Sequence, residues 1–125
     1  MAGGAILDTE HFSAMTGGDV ALQAEILALF RAQAALWERL LIPDAAVVTW
    51  TDTAHMIKGS ARGLGLWRLA EACELAERLG RSGALDAGAV HEALAQVRGR
   101  LTEALAALPS DASSDETGFN ETGPA

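Results

Sequence analysis

The segment Thr53-Ala-His-Met-Ile-Lys-Gly-Ser-Ala-Arg-Gly-Leu-Gly-Leu-Trp-Arg-Leu-Ala-Glu-Ala-Cys73 decides how this chain is read. With the residues just before it, Val47, Trp50, Ala54, Ile57, Ala61 and Leu64 recur at steps of three and four. At about 100° of turn per residue these positions make one apolar stripe, the mark of a helix lying against a core. His55 falls roughly 130° from the centre of that stripe, beside Asp52, Gly59 and Arg62, with Lys58 between this group and the core. The imidazole is therefore expected in solvent.

A lone histidine on a helix is by default a solvated residue without chemistry, and it is the neighbours that change the reading. Gly59, one turn beyond His55, costs a helix interior about 0.8 to 1 kcal/mol relative to alanine. A penalty of that size beside an exposed imidazole points to clearance for an approaching partner. Lys58 and Arg62, one and two turns beyond the histidine, are placed to hold anionic oxygens or merely to solvate the face. Clearance, nucleophile and cation together describe a site for a phosphoryl group.

The run His55-Met-Ile-Lys58-Gly59-Ser60-Ala61, followed by Gly65, Leu69 and Cys73, resembles the histidine-containing phosphotransfer (HPt) domain. The family signature is a histidine with lysine three, glycine four, glycine ten, leucine fourteen and often cysteine eighteen residues on, and each position is filled here. The resemblance extends upstream to Gly18-Asp19 and Leu29-Phe30. Departures are few: Ile57 replaces the usual leucine, Ala76 stands where a leucine commonly precedes the glutamate at Glu77, and Trp37 and Trp50 are bulkier than usual. They affect packing and leave the motif intact.

Composition sets the frame for this motif. At 125 residues, half of them hydrophobic, the chain has the size of one domain and can bury its own core. Tyrosine is absent and β-branched residues are sparse, so the expected fold is all-α. A net charge of −8 argues against a nucleic-acid binder, which grips phosphates with clustered Lys and Arg. The single cysteine cannot form an internal disulfide and suits a reducing cytosol. No leader-like start and no run of eighteen apolar residues is present, so the expectation is a cytoplasmic protein with no membrane partner.

Along the chain, Asp8 is expected to cap a short first helix carrying Phe12 and Met15 and ending at Thr16-Gly17-Gly18. His11 reads there as an ordinary surface residue. Asp19 opens a long helix with Leu22, Ile26, Leu29, Phe30, Gln33, Trp37, Leu40 and Leu41 at helical spacing until Pro43. Asp44 is the expected cap of the third helix, which carries His55 and stops near Gly63 or Gly65. A fourth helix runs from about Leu66 to Leu79 with Leu66, Leu69, Ala70, Cys73 and either Ala76 or Leu75 inward, and Gly80-Arg-Ser-Gly83 forms a turn. Asp86 caps the last helix, with Val90, Leu94, Val97, Leu101, Leu105 and Leu108 in one stripe and His91 just off it. The architecture expected is an antiparallel up-down-up-down four-helix bundle with a short N-terminal capping helix. It occupies residues 1–108, and 109–125 form a flexible acidic C-terminal tail.

Chemically, a solvated imidazole near neutral pH keeps a lone pair on one ring nitrogen and needs no general base to attack an activated phosphoryl donor. The resemblance implies that His55 accepts a phosphoryl group from a receiver-domain aspartate and returns it to another receiver. It also implies a phosphocarrier with no kinase activity of its own, no cofactor and no metal in the bundle. Lys58 would steady the phosphoryl oxygens, Gly59 would give the receiver clearance, and Arg62 would contact phosphate or receiver. The expected partners are response-regulator receiver domains, including that of a hybrid histidine kinase. A second reading is a helical adaptor or inhibitor that binds a kinase or receiver without carrying phosphate. Zinc held by His11, His55 and His91 is disfavoured, because the three lie on separate helices. A monomer is expected because the helix faces show no obvious second apolar stripe.

Overall fold

The computed structural model describes residues 5–109, so the expected acidic tail, apart from Pro109, lies outside the described residues. Five helices follow in order: α1 (Thr9–Thr16), α2 (Val20–Leu40), α3 (Val47–Leu64), α4 (Trp67–Ser82) and α5 (Ala87–Ala107). Helices α2 to α5 form the antiparallel bundle: each packs on the next, α2 also meets α5, and α1 lies on α3.

Caps explain most of the boundaries. Asp8, Asp19 and Asp86 each accept a hydrogen bond from the backbone N–H three residues on, satisfying donors that a helix start leaves unpaired. Asp44 does not do this for α3: the cap position is Ala46, with no side-chain bond. The turn at Ile42 to Ala45, closed by the Ala45 N–H to Ile42 O bond, takes up Asp44 before the helix starts. Of the two glycines offered as the stop of α3, Gly65 serves, at φ +88°, where a residue with a Cβ is strained.

Several expectations about which side chains face inward are corrected. In α2 the buried face is Leu27, Phe30, Ala34 and Trp37, continued by Leu41, whereas Leu22, Leu29 and Leu36 are exposed. Helix α2 has apolar residues over more than half its circumference, so periodicity alone leaves its rotation open and the packing of α3 and α5 chooses the face. The outer row is a second apolar stripe, contrary to expectation, and Met15 on α1 and Val47 on α3 are likewise exposed. In α4, Ala76 is inward and Leu75 outward. The expected turn at Gly80 is absent: the helix runs through it to Ser82, and Gly83 is the left-handed residue.

Gly80 has another task. A Cβ built on it would overlap Thr51 Oγ1 and stand 3.0 Å from Thr51 Cβ and Trp50 Cζ3, so the missing side chain lets α4 lie close on α3. Arginines close the far ends of the bundle. Arg98 donates to the Glu38 carbonyl at 2.7 Å, and Arg31 to the Pro109 carbonyl at 3.1 Å, both serving helix carboxyl ends that lack backbone donors.

Candidate functional site

His55 lies mid-way along α3 with 59% of its side chain exposed, as the wheel predicts. What the wheel does not predict is its partner. His55 Nδ1 lies 2.9 Å from Glu77 Oε2 on α4. An ionised carboxylate only accepts, so Nδ1 carries the proton and donates, and in the neutral ring the lone pair falls on Nε2. Nε2 has no protein hydrogen-bond partner among the described residues.

Glu77 is buried, and its charge is kept there by cations. Lys58 Nζ stands 2.6 Å from Glu77 Oε1 in an ion pair and donates to Glu74 Oε1 at 3.0 Å. Arg81, one turn beyond Glu77, donates to Oε2 at 2.7 Å, the same oxygen that receives His55. The Lys58 ammonium above all holds the Glu77 carboxyl down to about 2, with Arg81 and His55 adding to the depression and burial opposing it. The Glu77 and Glu74 carboxylates in turn raise Lys58 above its ordinary value. Removing one member of such a cluster leaves a buried charge uncompensated, so it is suited to fix the ring in one orientation.

The four residues singled out from the sequence thus sit differently. His55 is open to solvent, and Lys58, only 14% exposed, is engaged by two carboxylates. A Cβ added to Gly59 would meet nothing within 4 Å, so the space it leaves is outside the bundle and unused by the chain's own helices. Arg62 points toward α4, its Nη2 3.7 Å from Glu74 Oε1, and its carbonyl accepts from His11 Nε2 at 2.9 Å. His11 is therefore no ordinary surface residue. Its ring also stacks edge-on with Trp67, and Trp67 Nε1 donates to Asp8 Oδ2 at 2.9 Å, which ties α1 across the end of α3. His91 is exposed on α5, away from the other two histidines in sequence and element.

Glu77, Glu74 and Arg81 are site residues that the sequence reading misses. One signal is present: Glu77 falls among Leu69, Ala70, Cys73 and Ala76 on the inward stripe of α4, and a carboxylate on a core-facing stripe needs a buried cation. Cys73 on that stripe is inert, its thiol pushed up to about 12 chiefly by burial.

Beside the polar cluster, on the other flank of α3, an apolar groove of about 260 Å³ opens between α1, α2 and α3. Met15, Ile26, Leu29 and Leu64 line it, with Ser60 and Gly63 of α3. Gly63 is eight residues beyond His55, or about 12 Å along the helix axis. With Met56 and Gly59 exposed between them, the groove and the histidine form one continuous face.

Comparison with known proteins shows the family. The family model of the Hpt domain matches residues 21–111. Among solved structures, the crystal structure of the histidine phosphotransferase ShpA from Caulobacter crescentus is 35% identical, covers 79% of this chain and 89% of that one, and superposes with a TM-score of 0.56. No curated protein matches.

Proposed function

The chain belongs to the Hpt domain family and is a phosphocarrier of a phosphorelay, and on that premise we propose that His55 Nε2 is the atom that carries the phosphoryl group. The observation that supports this reading is the Nδ1 to Glu77 contact at 2.9 Å, which leaves Nε2 as the nucleophile and turns it to solvent. Attack by the Nε2 lone pair on an aspartyl phosphate of a receiver forms the N–P bond and releases the receiver's carboxylate. The imidazolium so formed keeps its proton on Nδ1 against the Glu77 carboxylate, and the return transfer runs the same step backwards.

Phosphoryl transfer depends on in-line positioning and neutralised charge more than on covalent help from the protein. The bundle supplies a fixed ring, and we read the chain as a carrier without kinase activity of its own. Lys58 contributes first by holding Glu77, and it reaches phosphoryl oxygens by exchanging Glu74 for them. Gly59 gives the receiver's loops access, and Arg62 is a lesser contact on the α4 side.

Hpt domains exchange phosphoryl groups with receiver domains, and the partner surface we assign here is the face made by His55, Met56, Gly59 and the groove. An exposed apolar patch beside an active atom is where a partner's own apolar surface is buried. A cytoplasmic location fits that exchange. Helix α2 is long and apolar enough to cross a membrane by length and composition, but its Leu27, Phe30, Ala34 and Trp37 are built into the bundle core.

The test is transfer from a phosphorylated receiver to the full chain and to His55→Gln. The wild type is expected to take up an acid-labile, base-stable label and the variant none, with unchanged helical circular dichroism. Label retained by the variant would place the phosphoryl group elsewhere, and a variant that kept signalling without label would favour an adaptor.

A further inference from the structure

The groove between α1, α2 and α3 is apolar and open, and the chain itself carries a candidate occupant close by. Arg31 holds the exit from α5 in place: its Nη2 donates to the Pro109 carbonyl at 3.1 Å. Arg31 shares a turn of α2 with the groove residues Leu29 and Phe30, so residue 109 is anchored to the same helix that forms one wall of the groove. Residues 110–125 contain Asp111, Asp115, Glu116 and Glu121, no lysine or arginine, and a single large apolar side chain, Phe119.

We propose that Phe119 seats in the α1–α2–α3 groove, so that residues 110–125 compete with the receiver for the face beside His55. This rests on the assignment of that face to receiver docking.

Length supports it. Phe119 is ten residues on from Pro109 (119 − 109), a maximum span of about 33 Å and an average of about 17 Å by flexible-coil statistics. Half-way round a helix of 10–12 Å diameter is a path of about 17 Å. A tether whose average length matches the span it must cover gives an effective concentration near its highest, of millimolar order. A single aromatic residue that binds too weakly to matter in solution is then retained for part of the time. Partial occupancy sets a threshold, so that a receiver with the better apolar surface displaces Phe119 and a poor one does not.

The experiment is paramagnetic broadening in the full chain carrying Glu116→Cys with a nitroxide label. Cys73 is buried and its thiol stays protonated, so the label goes to residue 116 alone. Broadening is expected at the amides of Met15, Leu29, Gln33 and Gly63, and its loss in the same labelled chain with Phe119→Ala. Transfer from a sub-saturating phosphorylated receiver is expected to rise about two- to tenfold in unlabelled Phe119→Ala, the factor that millimolar tethering allows. Broadening centred on the α4–α5 surface, or none at the groove, would overturn the proposal. Broadening that grows with protein concentration would assign the groove to a second copy and overturn it as well. An unchanged transfer rate with groove broadening intact would overturn the competition. Label retained by His55→Gln would count against the phosphoryl site alone, since the broadening is read without any receiver.

Discussion

The two flanks of α3 are built in opposite ways. Toward α4, Gly80 lets the helices close on Thr51 and Trp50, and the charges of His55, Lys58, Glu74, Glu77 and Arg81 are tied to one another. Toward α2, leucine and methionine side chains stand in solvent around an open groove. The first flank holds one ring in one orientation, and the second leaves apolar surface open. A protein that passes a group between different partners needs both: a reacting atom that does not move, and a contact area that is not already used up.

The polar flank is the more sensitive, and Glu77→Ala tests it most severely. It removes the acceptor for Nδ1 and leaves Lys58 and Arg81 without their shared carboxylate. Misplacement of a reacting atom by about 1 Å costs up to 100-fold, so transfer is expected to fall about 10- to 100-fold as the ring loses its fixed tautomer. Transfer at the wild-type rate would show that the ion network is only structural.

On the apolar flank, Leu29→Asp places a charge in the groove wall at a residue that is 60% exposed. Folding should change by less than about 0.5 kcal/mol, while the receiver concentration for half-maximal transfer should rise about tenfold and the saturated rate should hold. A fall in the saturated rate instead would break the division of labour between the two flanks.

A pair of glycines sharpens the same contrast in stability. Gly80→Ala gains about 1 kcal/mol of helix propensity but must displace Thr51 and Trp50, and overpacking costs about 1–3 kcal/mol. The clash wins, and urea unfolding should show a net loss of about 1 kcal/mol, recovered in part by adding Thr51→Ala. Gly59→Ala meets no atom and should stabilise the chain by about 0.5–1 kcal/mol while slowing transfer, the signature of a glycine kept for a partner rather than for the fold.

The smallest effect is the pH window of the polar flank. Glu77 is held at about 2 against an ordinary 4.5, so its contribution is complete above pH 4.5 and is lost as pH falls toward 2. Lys58 is raised above 10.5, and Cys73 from 9.0 to about 12. Their contributions are complete below those ordinary values and decline as pH rises past 9 and then 10.5. Urea midpoints should therefore be flat between about pH 5 and 9 and fall on both sides. With Glu77→Gln the acid limb should weaken, and so should the Lys58 part of the alkaline limb, while the fall that begins at pH 9 with Cys73 remains.

Much of this molecule is legible in its residues. The stripe Trp50, Ala54, Ile57, Ala61, Leu64, the aspartate caps of α1, α2 and α5 and the exposure of His55 all follow from local periodicity and local hydrogen bonds, which neighbours in the chain decide among themselves. Other features needed the assembled bundle. The face that α2 turns inward, the passage of α4 through Gly80, the tie of His11 to the Arg62 carbonyl and the hold of Glu77 on His55 each depend on atoms more than twenty residues apart. Sequence alone therefore determined most of the helices and the family and singled out His55 as the candidate acceptor, because a 3.6-residue period and a spaced motif are short-range signals. Tertiary structure decided which ring nitrogen is free and which surface stays open, because both are set by how separate helices meet, and no one-dimensional pattern records that.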